Sequence, residues 1–248
     1  MHVFLTALMF FTRIPVPATL PYSKELLNKA LRFFPLVGGI VGAIGAGSLW
    51  LGLLVLPFPL ALLISMLVTI FVTGAFHEDG FADFCDGYGG GLTKEKVLEI
   101  MKDSRLGTYG TIGLTAMLAT KFMALSYLSM PHIFLVMVAA HIVSRFVPVL
   151  LVYTTPYIRE DALSKAKPIG NQTTKKSVAI ALITALIPLL FLDWLILIGV
   201  VVVSAVVLWL FRAYILKRTG GYSGDVLGAL QQLVEVAIYL VMVAIQFS

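Results

Sequence analysis

Glu78, Asp79, Asp83 and Asp86 fall within nine residues of a chain in which only 12% of residues are charged. The stretch reads HEDGFADFCDGYGGG from His77 to Gly91, and IMKDSRLGTYG follows from Ile100 to Gly110. On a helix Asp79, Asp83 and Asp86 stand at i, i+4 and i+7 and share one face. Like charges so placed weaken an isolated helix, so a cation between them is expected. Carboxylate oxygens suit a hard divalent cation, above all Mg²⁺ where a phosphate shares the site. Gly89, Gly90 and Gly91 offer backbone that a phosphate can approach, and Lys102 and Arg105 add positive charge nearby. Metal ions stabilise the attacking and leaving oxygens of a phosphoryl displacement, and cationic side chains neutralise its phosphates. The plainer reading is a solvated acidic loop between two apolar segments, with Lys102 and Arg105 merely keeping an amphipathic helix in water.

The surrounding chain sets where such chemistry takes place. Of its 248 residues 59% are hydrophobic, and the mean hydropathy is +0.97. A soluble domain is nearer half apolar and about a quarter charged. Several runs are long enough to cross a hydrocarbon core of roughly 30 Å as helices, and they are neither short nor alternating, as barrel strands are. The expected fold is all-α: one polytopic membrane domain, residues 1–248, in the lipid bilayer. About seven transmembrane helices are expected, with an N-terminal interfacial helix and a cytoplasmic amphipathic helix. The formal charge of +5 reflects Lys and Arg kept on the cytoplasmic side, so no nucleic-acid partner is expected. The single cysteine, Cys85, permits no internal disulfide and reads as a small packing residue.

Residues 1–22 lack a signal-peptide pattern and read as a short helix at the membrane surface, ended by Pro15 and Pro17. Spans are expected at about 36–56, 58–76, 109–128, 132–152, 178–192, 194–214 and 226–247. Gly38 and Gly42, then Gly39, Ala43 and Gly47, repeat at a spacing that lets membrane helices pack closely. Thr93 is placed to cap an amphipathic helix over 94–105. Lys121, His141, Arg145 and Glu235 lie inside spans, where ionisable groups face protein or water. Lys121 and Arg145 aside, the Lys and Arg residues lie in the N-terminal segment and in loops 77–108, 153–177 and 212–225, and the turns near 57, 130 and 193 have none. The positive-inside rule puts the N-terminus and those loops in the cytoplasm and the C-terminus outside.

Two resemblances follow from these residues. DGFADFCDG (79–87) is similar to a shortened motif of CDP-alcohol phosphatidyltransferases, without their arginine and their wider aspartate spacing. A closer resemblance spans nearly the whole chain. FFTRIPVP (10–17), HEDGFADFCDGYGGG (77–91), IMKDSRLGTYG (100–110), SRFVPVL (144–150) and GGYSGDVLGALQQLVE (220–235) resemble, in order, the motifs of the cobalamin synthase family. That resemblance implies a Mg²⁺-dependent enzyme of the prokaryotic cytoplasmic membrane, with its site facing the cytoplasm. Its partners would be adenosylcobinamide-GDP and α-ribazole or α-ribazole 5′-phosphate, and GMP would be released. Candidate protein partners are a second copy of the chain and other cobalamin-assembly enzymes.

In that reaction a ribazole 3′-hydroxyl attacks the phosphate attached to cobinamide. Glu78, Asp79, Asp83 and Asp86 would hold metal, with Asp86 free to accept the hydroxyl proton. His77 is the other candidate base, since its unperturbed pKa suits that work; alternatively it caps the second span. Lys102 and Arg105 would grip phosphates, and Asp103 would support metal or orient Arg105. Arg13, Arg145 and Asp225 would complete the substrate pocket; their structural alternatives are an interfacial anchor, a snorkelling cation and a helix cap. A transporter for a corrinoid or a divalent cation, or a lipid phosphotransferase, remains the competing reading. Transporters favour midplane sites in repeated halves, whereas here the acids cluster at one edge and no repeat is visible.

Overall fold

In a computed structural model of the chain, the structure describes residues 1–17, 19–21, 23–158 and 173–247. Arg159, Lys165 and Lys167 of the expected basic loop lie outside them. The described chain is helical throughout: α1 (His2–Phe11), α2 (Lys24–Ala30), α3 (Phe34–Gly52), α4 (Phe58–Thr73), α5 (Phe76–Gly90), α6 (Lys94–Ile100), α7 (Thr108–Tyr127), α8 (His132–Thr154), α9 (Lys175–Leu189), α10 (Trp194–Arg218) and α11 (Gly224–Gln246). A single 3₁₀ turn, Leu31–Phe33, joins α2 to α3.

Helices occupy all seven expected stretches, but not all of them qualify as spans. Residues 25–52, α8, α10 and α11 are long and apolar enough to cross a bilayer, and α4 with α5 brings the number to five if that bent pair is one span. The shortfall has a chemical cause. α7 carries Thr108, Thr111, Thr115, Thr120, Lys121 and Ser126, and α9 has only 15 residues. The outward faces are apolar, with Phe71, Leu190, Phe191 and Trp209 all exposed, as expected of a multi-pass membrane protein.

The second expected span ends early. Gly74 (φ 69°) and Ala75 (φ 57°) both take left-handed backbone, and α5 leaves α4 at 88°. Glycine accepts that conformation freely, whereas alanine is strained in it. The Arg13 guanidinium lies where a Cβ on Gly74 would be, and the Arg13 N–H donates to Val72 O at 2.7 Å. The N-terminal TRIP segment is thus laid against the bend.

The central packing is α3 on α8 and α5 on α11. Gly38 and Gly42 make the first contact close, as the spacing predicts: a Cβ on Gly42 would lie 2.9 Å from Val138 Cα. Gly47, by contrast, faces open space. Gly80 does the same work for α5, where a Cβ would come within 3.0 Å of Asp225 Cα. The loops rich in polar residues meet at one end, where Ile158 N–H donates to Tyr222 O at 3.1 Å and Tyr222 N–H to Pro156 O at 3.1 Å. At the side of the bundle, α7 and α10 flank an apolar crevice of about 680 Å³, lined by Phe81, Met117, Phe211, Tyr214 and Leu240 among others, with α11 behind.

Candidate active site

α5 lies across the polar end of the bundle, and its rotation sorts the four acids. Asp79 is exposed, Asp83 half-buried, and Glu78 and Asp86 buried. Asp86 has a partner already. Its Oδ2 accepts the Gly107 N–H at 2.7 Å and its Oδ1 accepts the Gly110 N–H at 2.8 Å. Those N–H groups belong to the first turn of α7, which has no side-chain cap of its own. A carboxylate suits this position, because it satisfies orphan donors at the positive end of the helix dipole. Gly107 and Gly110 are required here, since a Cβ on either would collide with the carboxylate.

The four acids therefore do not converge as a metal cluster. Among the described residues no group of three or more His, Cys, Asp or Glu side chains is placed to hold a metal ion. Glu78 turns inward and accepts from Gln232 Nε2 at 2.9 Å. Asp79 and Asp83 remain one turn apart on the outer face. Mg²⁺ is commonly held by one or two carboxylates, with waters and substrate phosphates completing its shell. Asp79 and Asp83 fit that donor set.

At the Asp86 end of α5, α6 and the start of α7 border an open cleft of about 680 Å³ lined by Asp86, Lys96, Glu99, Lys102, Asp103 and Arg105; Asp79 and Asp83 do not line it. Thr93 caps α6 as expected, accepting the Lys96 N–H at 3.3 Å. The helix stops at Ile100 rather than continuing to Arg105, so Lys102, Asp103 and Arg105 stand on the loop that follows. Arg105 grips Asp103 with two-point geometry, Nε at 3.0 Å and an outer nitrogen at 2.6 Å. That grip pulls the Asp103 carboxyl down to about 2. The pair is therefore intact above the ordinary carboxylate range and is lost only as pH falls through that depressed value. Lys96 was not singled out from the sequence, although it lines the cleft. Its i, i+3 pairing with Glu99, at 2.9 Å, resembles any solvated helix face.

The glycines after Asp86 serve the protein's own packing. A Cβ on Gly91 would lie 2.6 Å from Val97 N, and one on Gly89 would lie 2.7 Å from the Tyr109 ring. Gly90 is exposed and keeps an approachable backbone. Arg218 fastens this end of α5, donating to Gly91 O at 2.6 Å and Tyr88 O at 3.2 Å, while its guanidinium lies 5.8 Å from the Tyr88 ring. A cation at the last carbonyls of a helix complements its dipole. Asp225, in the first turn of α11, stands beside Gly80.

Beneath α5 lies a buried polar network. Lys121 Nζ is 2.6 Å from Glu235 Oε1. Glu235 Oε2 accepts from Gln231 Nε2 at 2.6 Å, and Gln231 Nε2 also reaches Ser144 Oγ at 3.0 Å. Arg145 is only 2% exposed; its NH1 lies 2.9 Å from His141 Nδ1 and 3.9 Å from Glu235 Oε2. Arg145 thus neither snorkels nor lines the cleft. It is a compensated charge inside the bundle. These membrane-depth charges face one another rather than an open pathway, which removes the support for a transporter. His77 is also interior, 1% exposed and stacked on Phe34 at 5.6 Å between centroids. A proton acceptor must meet the hydroxyl it serves, and His77 is not among the residues that line the cleft. Gln231 and Gln232 passed unnoticed in the sequence, though they precede Glu235 by one helical turn.

A bundle of apolar helices, with carboxylates and cations gathered at one end, defines the class: a multi-pass membrane protein built for polar, phosphate-type chemistry at its edge. Residues 3–243 match the model of the cobalamin-5-phosphate synthase family, and the chain belongs to that family. It is 43% identical over 246 residues to a protein of Vibrio cholerae named adenosylcobinamide-GDP ribazoletransferase, covering 98% of this chain and 94% of the relative. A protein of the same name from Vibrio parahaemolyticus is 43% identical over 245 residues, covering 98% and 92%. One from Shewanella frigidimarina is 42% identical over 256 residues, covering 100% and 96%. No solved structure matches the chain.

Proposed function

We propose that the cleft between α6 and α7 receives the diphosphate of adenosylcobinamide-GDP, and that Asp79 and Asp83 hold Mg²⁺ beside it. As a member of its family the chain is an enzyme of cobalamin assembly. It transfers the adenosylcobinamide-phosphate moiety to the 3′-hydroxyl of α-ribazole, or of its 5′-phosphate, and releases GMP. The observation that carries the site assignment is the meeting of Lys96, Lys102 and Arg105 on a cleft walled by Asp86. Bound Mg²⁺ would supply charge stabilisation at the phosphate oxygens. Arg105 and Lys102 bind and orient the diphosphate, with Asp103 holding the Arg105 fork ready. Asp86 keeps a lone pair on each oxygen beyond its two N–H partners, so it can accept the proton of the attacking hydroxyl. Arg13 lies against Gly74 just before α5 and Asp225 against Gly80, both near its acidic start, and Gly90 offers backbone to a phosphate.

The test is GMP release by purified protein with and without α-ribazole. Release that requires both substrates is expected; release without α-ribazole would mean hydrolysis instead. Arg105→Ala should cut kcat/KM for adenosylcobinamide-GDP by about tenfold to a hundredfold, the range of a charge-assisted contact, and leave the apparent affinity for α-ribazole unchanged. Arg105→Lys should restore it only partly, since an ammonium lacks the planar fork. A loss confined to α-ribazole affinity would move the nucleophile's pocket to this loop.

This site faces the cytoplasm of a prokaryotic cell in the same proposal, supported by the Lys and Arg residues of the polar-end loops and their absence near residues 57, 130 and 193. Reporter fusions at Pro57, Pro131 and Ser248 should all read as external. A cytoplasmic signal at Ser248 would reverse the placement of α11.

A further inference from the structure

We propose that Lys121 and Gln232 are positioning residues for this reaction: acting through Glu78, they fix the rotation of α5 and so aim Asp79 and Asp83. The proposal rests on the reading of Asp79 and Asp83 as the metal-holding pair.

The chain of contacts has a direction. Lys121 Nζ donates to Gln232 Oε1 at 3.3 Å, and Gln232 Nε2 donates to Glu78 Oε1 at 2.9 Å. An ammonium has no acceptor and an ionised carboxylate has no donor, so the amide between them fits only one way round. Lys121 is itself held at 2.6 Å by Glu235. The relay runs from α11 through α7 and back through α11 to α5, and all four side chains are buried.

α5 needs such a device. It begins just after the left-handed pair Gly74 and Ala75, and Ala75 supplies no side-chain cap. At its other end Asp86 and Arg218 hold it; in its first turn Phe76 and His77 pack on Phe10, Phe11 and Phe34, and Glu78 adds a buried polar contact. Successive helical residues point about 100° apart. Holding Glu78 inward therefore turns its neighbour Asp79 outward, and Asp83 one turn further on follows. Releasing Glu78 removes the polar contact that fixes the rotation of that turn within its apolar packing, and so shifts the aim of both carboxylates.

The experiment compares Gln232→Leu, Glu78→Leu, Glu78→Gln and the double variant Lys121→Met/Glu235→Gln, which removes both charges of the deeper pair together. Each purified full-length protein is measured for kcat, for KM of both substrates, for thermal melting in detergent, and for Mn²⁺ binding by electron paramagnetic resonance without turnover. Gln232→Leu, Glu78→Leu and the double variant should each lower kcat and weaken Mn²⁺ binding about tenfold or more, the effect of freeing a buried charge-assisted contact, with KM for α-ribazole unchanged. Glu78→Gln retains an acceptor for Gln232, so it should rescue Mn²⁺ affinity and kcat to within about threefold of wild type, whereas a lost contact costs tenfold or more. Because Glu78→Gln keeps the size and the hydrogen bond, it remains informative if Gln232→Leu does not fold. Damage from Glu78→Gln equal to that from Glu78→Leu would overturn the proposal and make Glu78 itself a ligand. So would variants that melt earlier but keep wild-type kcat and Mn²⁺ affinity, since the network would then serve stability alone. Asp79→Asn separates the two readings. Unchanged Mn²⁺ affinity there would overturn the metal assignment, and this proposal with it, even if GMP release from wild type is intact.

Discussion

Asp79→Asn and Asp83→Asn should each reduce GMP release by about a thousandfold or more at saturating Mg²⁺, a loss of about 4 kcal/mol of transition-state stabilisation. Asparagine keeps the size of the side chain and one oxygen but removes the charge that a hard cation requires. Asp79 is exposed and Asp83 half-buried on α5, and the Asp79 variant should insert and melt like wild type. Cys85→Ala is the neighbouring control. Cys85 Sγ sits against Gly113 of α7, a packing contact as its sequence context suggests, and most activity should survive its loss. More than a tenth of wild-type turnover in either Asn variant would remove that residue from the metal site.

Asp86→Ala should show a different signature, losing activity and stability together. The variant strips the first turn of α7 of two charge-assisted hydrogen bonds, so a destabilisation of about 3 kcal/mol is expected. The same change removes the carboxylate wall of the cleft, and GMP release should drop at least a hundredfold, as for loss of a general base. Asp86→Asn should fall between, because its single oxygen can serve Gly107 or Gly110 while its NH₂ faces the other N–H. Asp86→Glu should not rescue, since the Asp86 oxygens already lie 2.7 and 2.8 Å from Gly107 N and Gly110 N and an added methylene displaces them. Melting in detergent and GMP release on the same preparations decide it; an unchanged melting point for Asp86→Ala would refute the capping role.

The difference between these two signatures marks where the sequence stops being informative. The helical phase of Asp79, Asp83 and Asp86 is plain from their spacing, and so is the role of Gly38 and Gly42, because both depend on local periodicity. The separate fates of the acids are not. Glu78 and Asp79 are adjacent and chemically alike, and which one turns inward depends on Gln232, 154 residues away. Asp86 becomes a cap only because α7 returns to α5. Arg145 looks like a snorkelling cation near a helix end, and only the arrangement of α8 against α11 buries it beside Glu235. The early stop of α6 was not legible, since Met101 falls in phase with the apolar side of a helix over 94–105; only the structure shows it buried against Gly87 after the helix has ended. The 88° bend had a local sign in Gly74, but Ala75 in left-handed backbone is a cost no propensity would suggest.

α7 is fastened at its start through Asp86 and again at Lys121, two points separated by about 20 Å along the helix axis. Between them it rests on α5 and α11, while its flank toward α10 opens on the apolar crevice. The turn that walls the cleft is thus the end of a strut braced from one side.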